Sequence, residues 1–298
     1  MTARDWALLL ILAALWGGSF FFIAVAVTEL PTVTVVAART TLAAAALGLY
    51  MRLTQLALPR DATTWRDFIV LGLLNNAIPF GLIVWSETHI ASGLAAILNA
   101  TTPLFTILVA HAATHDERLS TAKIVGVAIG LCGVAVMIGT DAVAQIGSAV
   151  LAQLASLGAA LSYGCGITYA RRLRHLPAVT LSTGQLFGST LLMVPLALLS
   201  DRPWTLAMPG VAVVTSVLAL ALLSTAVAYV IYFRILTTAG ATNASLVTFL
   251  NPIGALLLGI FVLGEHLALH HLAGMALIFA GLAAIDGRIF GVVRRAAA

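Results

Sequence analysis

The run Leu8-Leu9-Leu10-Ile11-Leu12-Ala13-Ala14-Leu15 is apolar on every face. It lacks both the two-residue alternation of a membrane barrel strand and the polar stripe of a soluble helix, so it reads as a helix surrounded by lipid or protein. Moving outward, Arg4 precedes it and the apolar character continues to Ala24-Val25-Ala26. Those small residues mimic a signal-peptide cleavage site, but the stretch is long enough to span a bilayer, and we read it as a retained helix.

The rest of the chain has the same character. Of its 298 residues, 61% are apolar and 9% are charged, and the mean hydropathy is +1.07. Soluble domains carry about 25% charged residues, which excludes a water-soluble globule. A crossing takes about 20 residues, so the length holds about ten helices, short connections and no separate soluble domain. Helices satisfy every backbone group within the lipid, and they are the spanning option left once a barrel is set aside. Charges, prolines and glycines place the predicted spans at 6–27, 32–53, 66–87, 92–113, 121–140, 149–171, 177–199, 211–234, 241–263 and 269–289.

Thirteen of the 15 Lys and Arg side chains fall on one face of this arrangement, Arg202 alone falls on the other, and Arg39 lies inside the second helix. The positive-inside rule then predicts a multi-pass protein of the cell (inner) membrane with both termini cytoplasmic. The acids split six to five between the faces, as expected when basic residues alone set orientation. The net charge of +4 is scattered over short loops, which suits lipid headgroups and not nucleic acid. Cys132 and Cys165 lie in apolar segments and read as small packing residues.

The two halves repeat. At an offset of 146, Ala14-Leu15, Gly18 and Pro31 match Ala160-Leu161, Gly164 and Pro177, and Arg39 falls opposite Gln185. At an offset of 149, Asn75 and Asn76 match Ser224 and Thr225, Phe80 matches Tyr229, Asn99 matches Thr248, and Pro103 matches Pro252. Glu117, Gly126 and Gly133 then match Glu265, Gly274 and Gly281 at an offset of 148. Five helices are an odd number, so the second copy starts on the opposite side of the membrane. The predicted fold is therefore an all-α integral membrane domain of ten transmembrane helices, built as two inverted five-helix repeats, 1–143 and 144–298, around a central cavity. Inverted repeats of this kind build many secondary transporters, with the substrate near the midplane where the halves meet.

These residues resemble the drug/metabolite transporter superfamily, and specifically its EamA type. The repeated pattern is Pro31 with Arg39 eight residues on, then Pro103, an acidic residue at Glu117, and Gly126 with Gly133; the second copy supplies Pro252, Glu265, Gly274 and Gly281. It departs from the first in carrying Gln185 opposite Arg39. The resemblance covers essentially the whole chain and implies ten helices around a central cavity and export of metabolites, often amino acids; the inverted architecture implies alternating access.

Polar groups at mid-helix depth are costly in lipid and are expected to face a cavity or another helix. The candidates for substrate contact are Trp16, Ser19, Arg39, Asn75, Asn76, Phe80, Asn99, Thr102, Tyr163, Thr225, Tyr229, Thr248 and Asn251, with Thr101, Ser162, Ser224 and Ser245 at similar depth. Neutral donors and acceptors beside aromatic rings suit a small zwitterion or amphipathic metabolite, such as an aromatic or other neutral amino acid. The alternative for any one hydroxyl is an interhelical hydrogen bond. Pro79, Pro103 and Pro252 are candidate hinges. Each lacks an N–H, and in an α-helix each would release the carbonyl four residues earlier, at Asn75, Asn99 and Thr248. Gly126-x-x-x-Gly130 allows close helix approach, either to the other half in a monomer or to a second subunit in a homodimer.

Arg39 lies about 10 Å from its end of helix 2 at 1.5 Å per residue, too deep to be left facing lipid. Glu87 is the expected ion-pair partner, with a substrate carboxylate as the alternative. The acids and all seven His residues lie in loops or near helix ends, so the sequence predicts facilitated or exchange transport without a mid-membrane proton carrier. No cofactor or metal is expected. The expected partners are the bilayer and a small-molecule substrate.

An intramembrane enzyme is the competing class. Glu265-His266-x-x-x-His270-His271 reverses the order of a zinc-protease signature and falls in a predicted external connection. A Schiff-base site would need a buried lysine, and Lys123 opens a helix. A channel, the second alternative, would need a filter ring that is not visible.

Overall fold

A computed structural model describes residues 2–113, 120–139, 147–244 and 246–286. Within them lie ten helices: α1 (Ala3–Ala26), α2 (Thr32–Leu53), α3 (Ala62–Ser86), α4 (Ser92–Ala113), α5 (Thr121–Ile138), α6 (Ser148–Ala170), α7 (Ala178–Ser200), α8 (Val211–Ala239), α9 (Val247–Phe261) and α10 (Leu269–Asp286). The eight from α1 to α8 are long and apolar enough to cross a bilayer, while α9 and α10 are shorter. A single helical turn, Ala241–Ala244, precedes α9, so the predicted ninth span is interrupted near its start. Glu117 and Ser245 lie outside the described residues, as does the junction expected between 143 and 144.

Local signals set the helix ends. Thr2 and Asp5 form a reciprocal capping box at the start of α1. Asp61 accepts the Thr64 N–H at 2.8 Å before α3; this bond holds its carboxyl below the usual carboxylate range. Gly139 and Gly240 close α5 and α8 with φ of 78° and 83°, a backbone region where a Cβ is strained.

The packing crosses over between the halves. α1 packs on α8 and α9 of the second half, while α6 packs on α3 and α4 of the first; α2 pairs with its counterpart α7, and α5 with its counterpart α10. The α5–α10 contact shows the twofold directly. A Cβ on Gly126 would stand 2.6 Å from the Gly281 carbonyl oxygen, and one on Gly133 would stand 2.7 Å from that of Gly274. In the repeat register Gly126 corresponds to Gly274 and Gly133 to Gly281, so each contact is the image of the other. The small-residue stripe of α5 is thus spent within the chain, because lipid supplies no hydrophobic drive between helices and close backbone approach must do so instead. Around the outside, Leu10, Leu49, Leu53, Leu191, Leu199 and Phe261 are exposed, as lipid-facing side chains must be. Cys132 joins this exposed face and does not fill a core position; both cysteines are free.

Candidate functional site

Two π-helical segments lie at the centre. α3 widens at Leu73–Ala77 and α8 at Leu222–Val227. They begin 149 residues apart, 222 less 73, which is the register that pairs Asn75-Asn76 with Ser224-Thr225. A widened turn re-aims side chains and carbonyls, which is why such segments gather at functional positions.

Each π segment receives a polar side chain from the second helix of the other repeat. From α2, Arg39 Nε donates to Thr225 Oγ1 at 3.0 Å. Thr225 Oγ1 in turn donates to the carbonyl of Leu220, five residues earlier, at 2.8 Å. In the mirror position on α7, Gln185 Oε1 accepts from Asn75 Nδ2 at 3.1 Å, and the Gln185 carbonyl accepts from Asn76 Nδ2 at 3.4 Å. Tyr229 OH donates to Asn76 Oδ1 at 3.4 Å and also interacts with the Gln185 side chain.

Arg39 is buried, and its guanidinium carbon stands 3.6 Å from the centroid of the Phe80 ring. Tyr163, Tyr229 and Glu87 are close enough to act on it electrostatically. The expected ion pair with Glu87 is absent: both Glu87 carboxyl oxygens are buried without a hydrogen-bond partner. Depth along the helix allowed that pair, but the π segment of α8 turns Thr225 toward Arg39, and the ring of Phe80 supplies the remaining attraction for the cation.

The prolines also act differently from the expectation. In α3 the local register is i to i+5, as Ile78 N–H bonds to the Leu73 carbonyl. Pro79 therefore orphans Leu74 and not Asn75. That carbonyl accepts from Ser162 Oγ of α6 at 2.7 Å. In α4 the helix breaks at Ala100 and Thr101, and the Asn99 carbonyl released by Pro103 accepts from Thr102 Oγ1 at 2.7 Å. Neither carbonyl is left open. Pro252 sits within α9 where Gly17 of α1 approaches: a Cβ there would stand 2.7 Å from the Asn251 carbonyl oxygen.

Arg39, Asn75, Asn76, Phe80, Tyr163, Thr225 and Tyr229 thus form one cluster. Asn99, Thr102, Thr248 and Asn251 belong to the interrupted helices α4 and α9. Trp16 instead stacks on Tyr232 at 5.4 Å between centroids, and Ser19 Oγ donates to the Trp16 carbonyl at 2.6 Å. Among the described residues four side-chain amide oxygens are buried without a donor, those of the candidates Asn75, Asn99 and Asn251 and that of Gln153. They are closed to solvent in this state. Two open clefts lie elsewhere, one of about 740 Å³ by Gly48, Arg52, Gln55 and Phe187, and one of about 250 Å³ by Leu30, Thr34, Pro203 and Met208. Neither is lined by the cluster, and the chemistry points to the cluster. Gln185 and Gly166 are the residues that sequence reasoning passed over. A Cβ on Gly166 would collide with the Asn75 amide.

Among the described residues no group of His, Cys, Asp and Glu could hold a metal ion. In the Glu265-His266-x-x-x-His270-His271 run the acid caps α4, accepting from Ser92 N at 2.7 Å and Gly93 N at 3.1 Å, and His266 and His270 are exposed.

The EamA-like transporter family model matches residues 5–139 and again 150–285, once for each half. The chain belongs to the EamA-like transporter family. It is a multi-pass membrane transporter and not an enzyme. Similar proteins include the uncharacterized transporter YoaV of Bacillus subtilis, 24% identical across 90% of this chain and 91% of YoaV. The uncharacterized inner membrane transporter YedA of Escherichia coli K12 is 26% identical across 85% of this chain and 81% of its own. A protein of Streptantibioticus cattleyicolor described as a "probable terminal-alkyne amino-acid exporter" is 28% identical across 72% and 71%. A crystal structure at 18% identity covers 96% of this EamA-family chain and 97% of its own, with a TM-score of 0.67, a likeness of fold.

Proposed function

We propose that this EamA-family transporter exports amino acids, aromatic or otherwise neutral, or related small metabolites, by alternating access at the junction of its inverted repeats. The observation that carries the reading is Arg39, a buried cation held by one hydrogen bond to Thr225 and by the Phe80 ring, in a cluster where the Asn75 amide oxygen lacks a donor, as do those of Asn99 in α4 and Asn251 in α9. A guanidinium has five N–H groups in a fixed fork, which leaves donors for a carboxylate. The amide oxygens suit an ammonium group, and Phe80, Tyr163 and Tyr229 suit an apolar side chain. The likeness to the Streptantibioticus cattleyicolor protein supports the same substrate class. Rocking α1, α3 and α4 against their counterparts about the π segments and the α4 and α9 breaks would expose the cluster to each face in turn.

The charge asymmetry supports cytoplasmic termini, and the use of Gly126 and Gly133 inside the chain supports a monomer. The test is transport by purified protein in vesicles, screening radiolabelled amino acids. Saturable passage of a neutral amino acid, lost in Arg39→Gln, is expected; binding without passage would overturn the proposal.

A further inference from the structure

Glu87 directly follows the α3 span Ala62–Ser86, at the face opposite the arginine-rich one. It is only 8% exposed, and neither oxygen has a hydrogen-bond partner. A turn leads from it into α4, with the N–H groups of His89 and Ile90 both bonded to the Ser86 carbonyl at 2.9 Å. At the first residues of α4, Glu265 from the α9–α10 connection accepts the Ser92 and Gly93 N–H groups. This cap ties the second half to the first over the Glu87 turn. Gly259 makes room for it, since a Cβ there would collide with the Glu265 carboxyl.

The charged groups facing Glu87 are Glu265 from the α9–α10 connection and Arg39 from α2, and the carboxylate of Glu265 acts on it more strongly than the deeper arginine. An ionised carboxylate in a dry site, with no donor and a second carboxylate nearby, bears both the desolvation and the like-charge penalty. The neutral acid bears neither. The Glu265 carboxylate, by contrast, accepts two backbone N–H groups at the start of α4. Once the Glu265 cap parts and water enters, the penalty on an ionised Glu87 disappears.

We propose that Glu87 is a proton-binding site that latches this face: its carboxyl is protonated while Glu265 caps α4, and it gives the proton to water when the cap opens. The closed state then holds one proton more than the open state. By linkage the ratio of open to closed rises with pH, by up to about tenfold per pH unit while the two states differ in protonation, and acid on that face favours closure. The latch rests on the alternating-access reading only in that this face must open.

The experiment uses the full-length protein in lipid vesicles, in a Cys132→Ala, Cys165→Ala background, with spin labels at Thr88→Cys and Ala268→Cys across the latch. The distance distribution is measured by pulsed electron resonance from pH 5 to pH 8. The short-distance population is expected to fall as pH rises, along a one-proton curve, and to stay dominant at every pH in Glu87→Gln. Glu87→Met, neutral and of similar length, repeats the comparison if the glutamine variant does not fold. A distribution that ignores pH in the unmutated latch, or a pH response that survives in the neutral variants, overturns the proposal. No substrate is needed, so the outcome is independent of whether amino-acid transport is found.

Discussion

Arg39 on α2 and Thr225 in the π segment of α8 meet at 3.0 Å across the boundary between the two repeats. The contact has an image on the other side of the twofold, where Gln185 on α7 meets Asn75 in the π segment of α3 at 3.1 Å. One side is charged and the other is neutral. The symmetric backbone thus carries an asymmetric polar centre, which on the proposed function would orient a substrate that has one anionic end.

Arg39→Gln should lower transport far more than surface expression. A hydrogen bond to a charged group is worth about 1.5–3 kcal/mol, which corresponds to about tenfold or more in apparent affinity if Arg39 holds a carboxylate. Parallel vesicle uptake and surface-labelling measurements check this. Equal losses of both would assign Arg39 a structural role.

Gln185→Leu should leave the fold standing and impair transport. Interhelical hydrogen bonds in membranes average about 0.6 kcal/mol each, so thermal unfolding should shift little, while the Asn75 amide loses its orientation. Gly166→Ala should reproduce the transport loss, because its Cβ displaces that same amide. Unfolding curves and uptake on the same preparations separate the two effects.

Ser162→Ala should destabilise by about 1–3 kcal/mol, the cost of orphaning a buried acceptor at the Leu74 carbonyl. Pro79→Ala supplies an N–H to the same turn. The double variant should therefore be more stable than the sum of the single effects predicts, which a double-mutant cycle of unfolding free energies measures.

Gly133→Leu should lower thermal stability by about 1–3 kcal/mol or more, because no room exists beside the Gly274 carbonyl. The oligomeric state, read by light scattering in detergent, should stay unchanged. A shift to a smaller assembly would place that stripe between subunits.

The repeat was readable because Pro, Gly and Glu recur in order, and the 149-residue register correctly aligned the two segments that become π-helical. The π turns themselves were not readable. Pro79 marks one of them, but the other, Leu222–Val227, has no proline. That one-residue register change moved the orphaned carbonyl from Asn75 to Leu74. The burial of Arg39 was legible, yet rotation about the helix axis was not, so Glu87 was expected to pair with it when Thr225 and Phe80 do. Gln185 was visible only as a departure from the arginine pattern. Its role emerges from α7 crossing α3, a contact between helices far apart in sequence.

Thiol accessibility at the centre tests the account most directly. Single cysteines placed at Asn75, Thr225 and Thr248, in a background without Cys132 and Cys165, are exposed in sealed vesicles to a membrane-impermeant reagent applied from one face or the other. The account predicts labelling from each face and protection by transported substrate. Positions sealed from both faces under all conditions, with or without substrate, would contradict it.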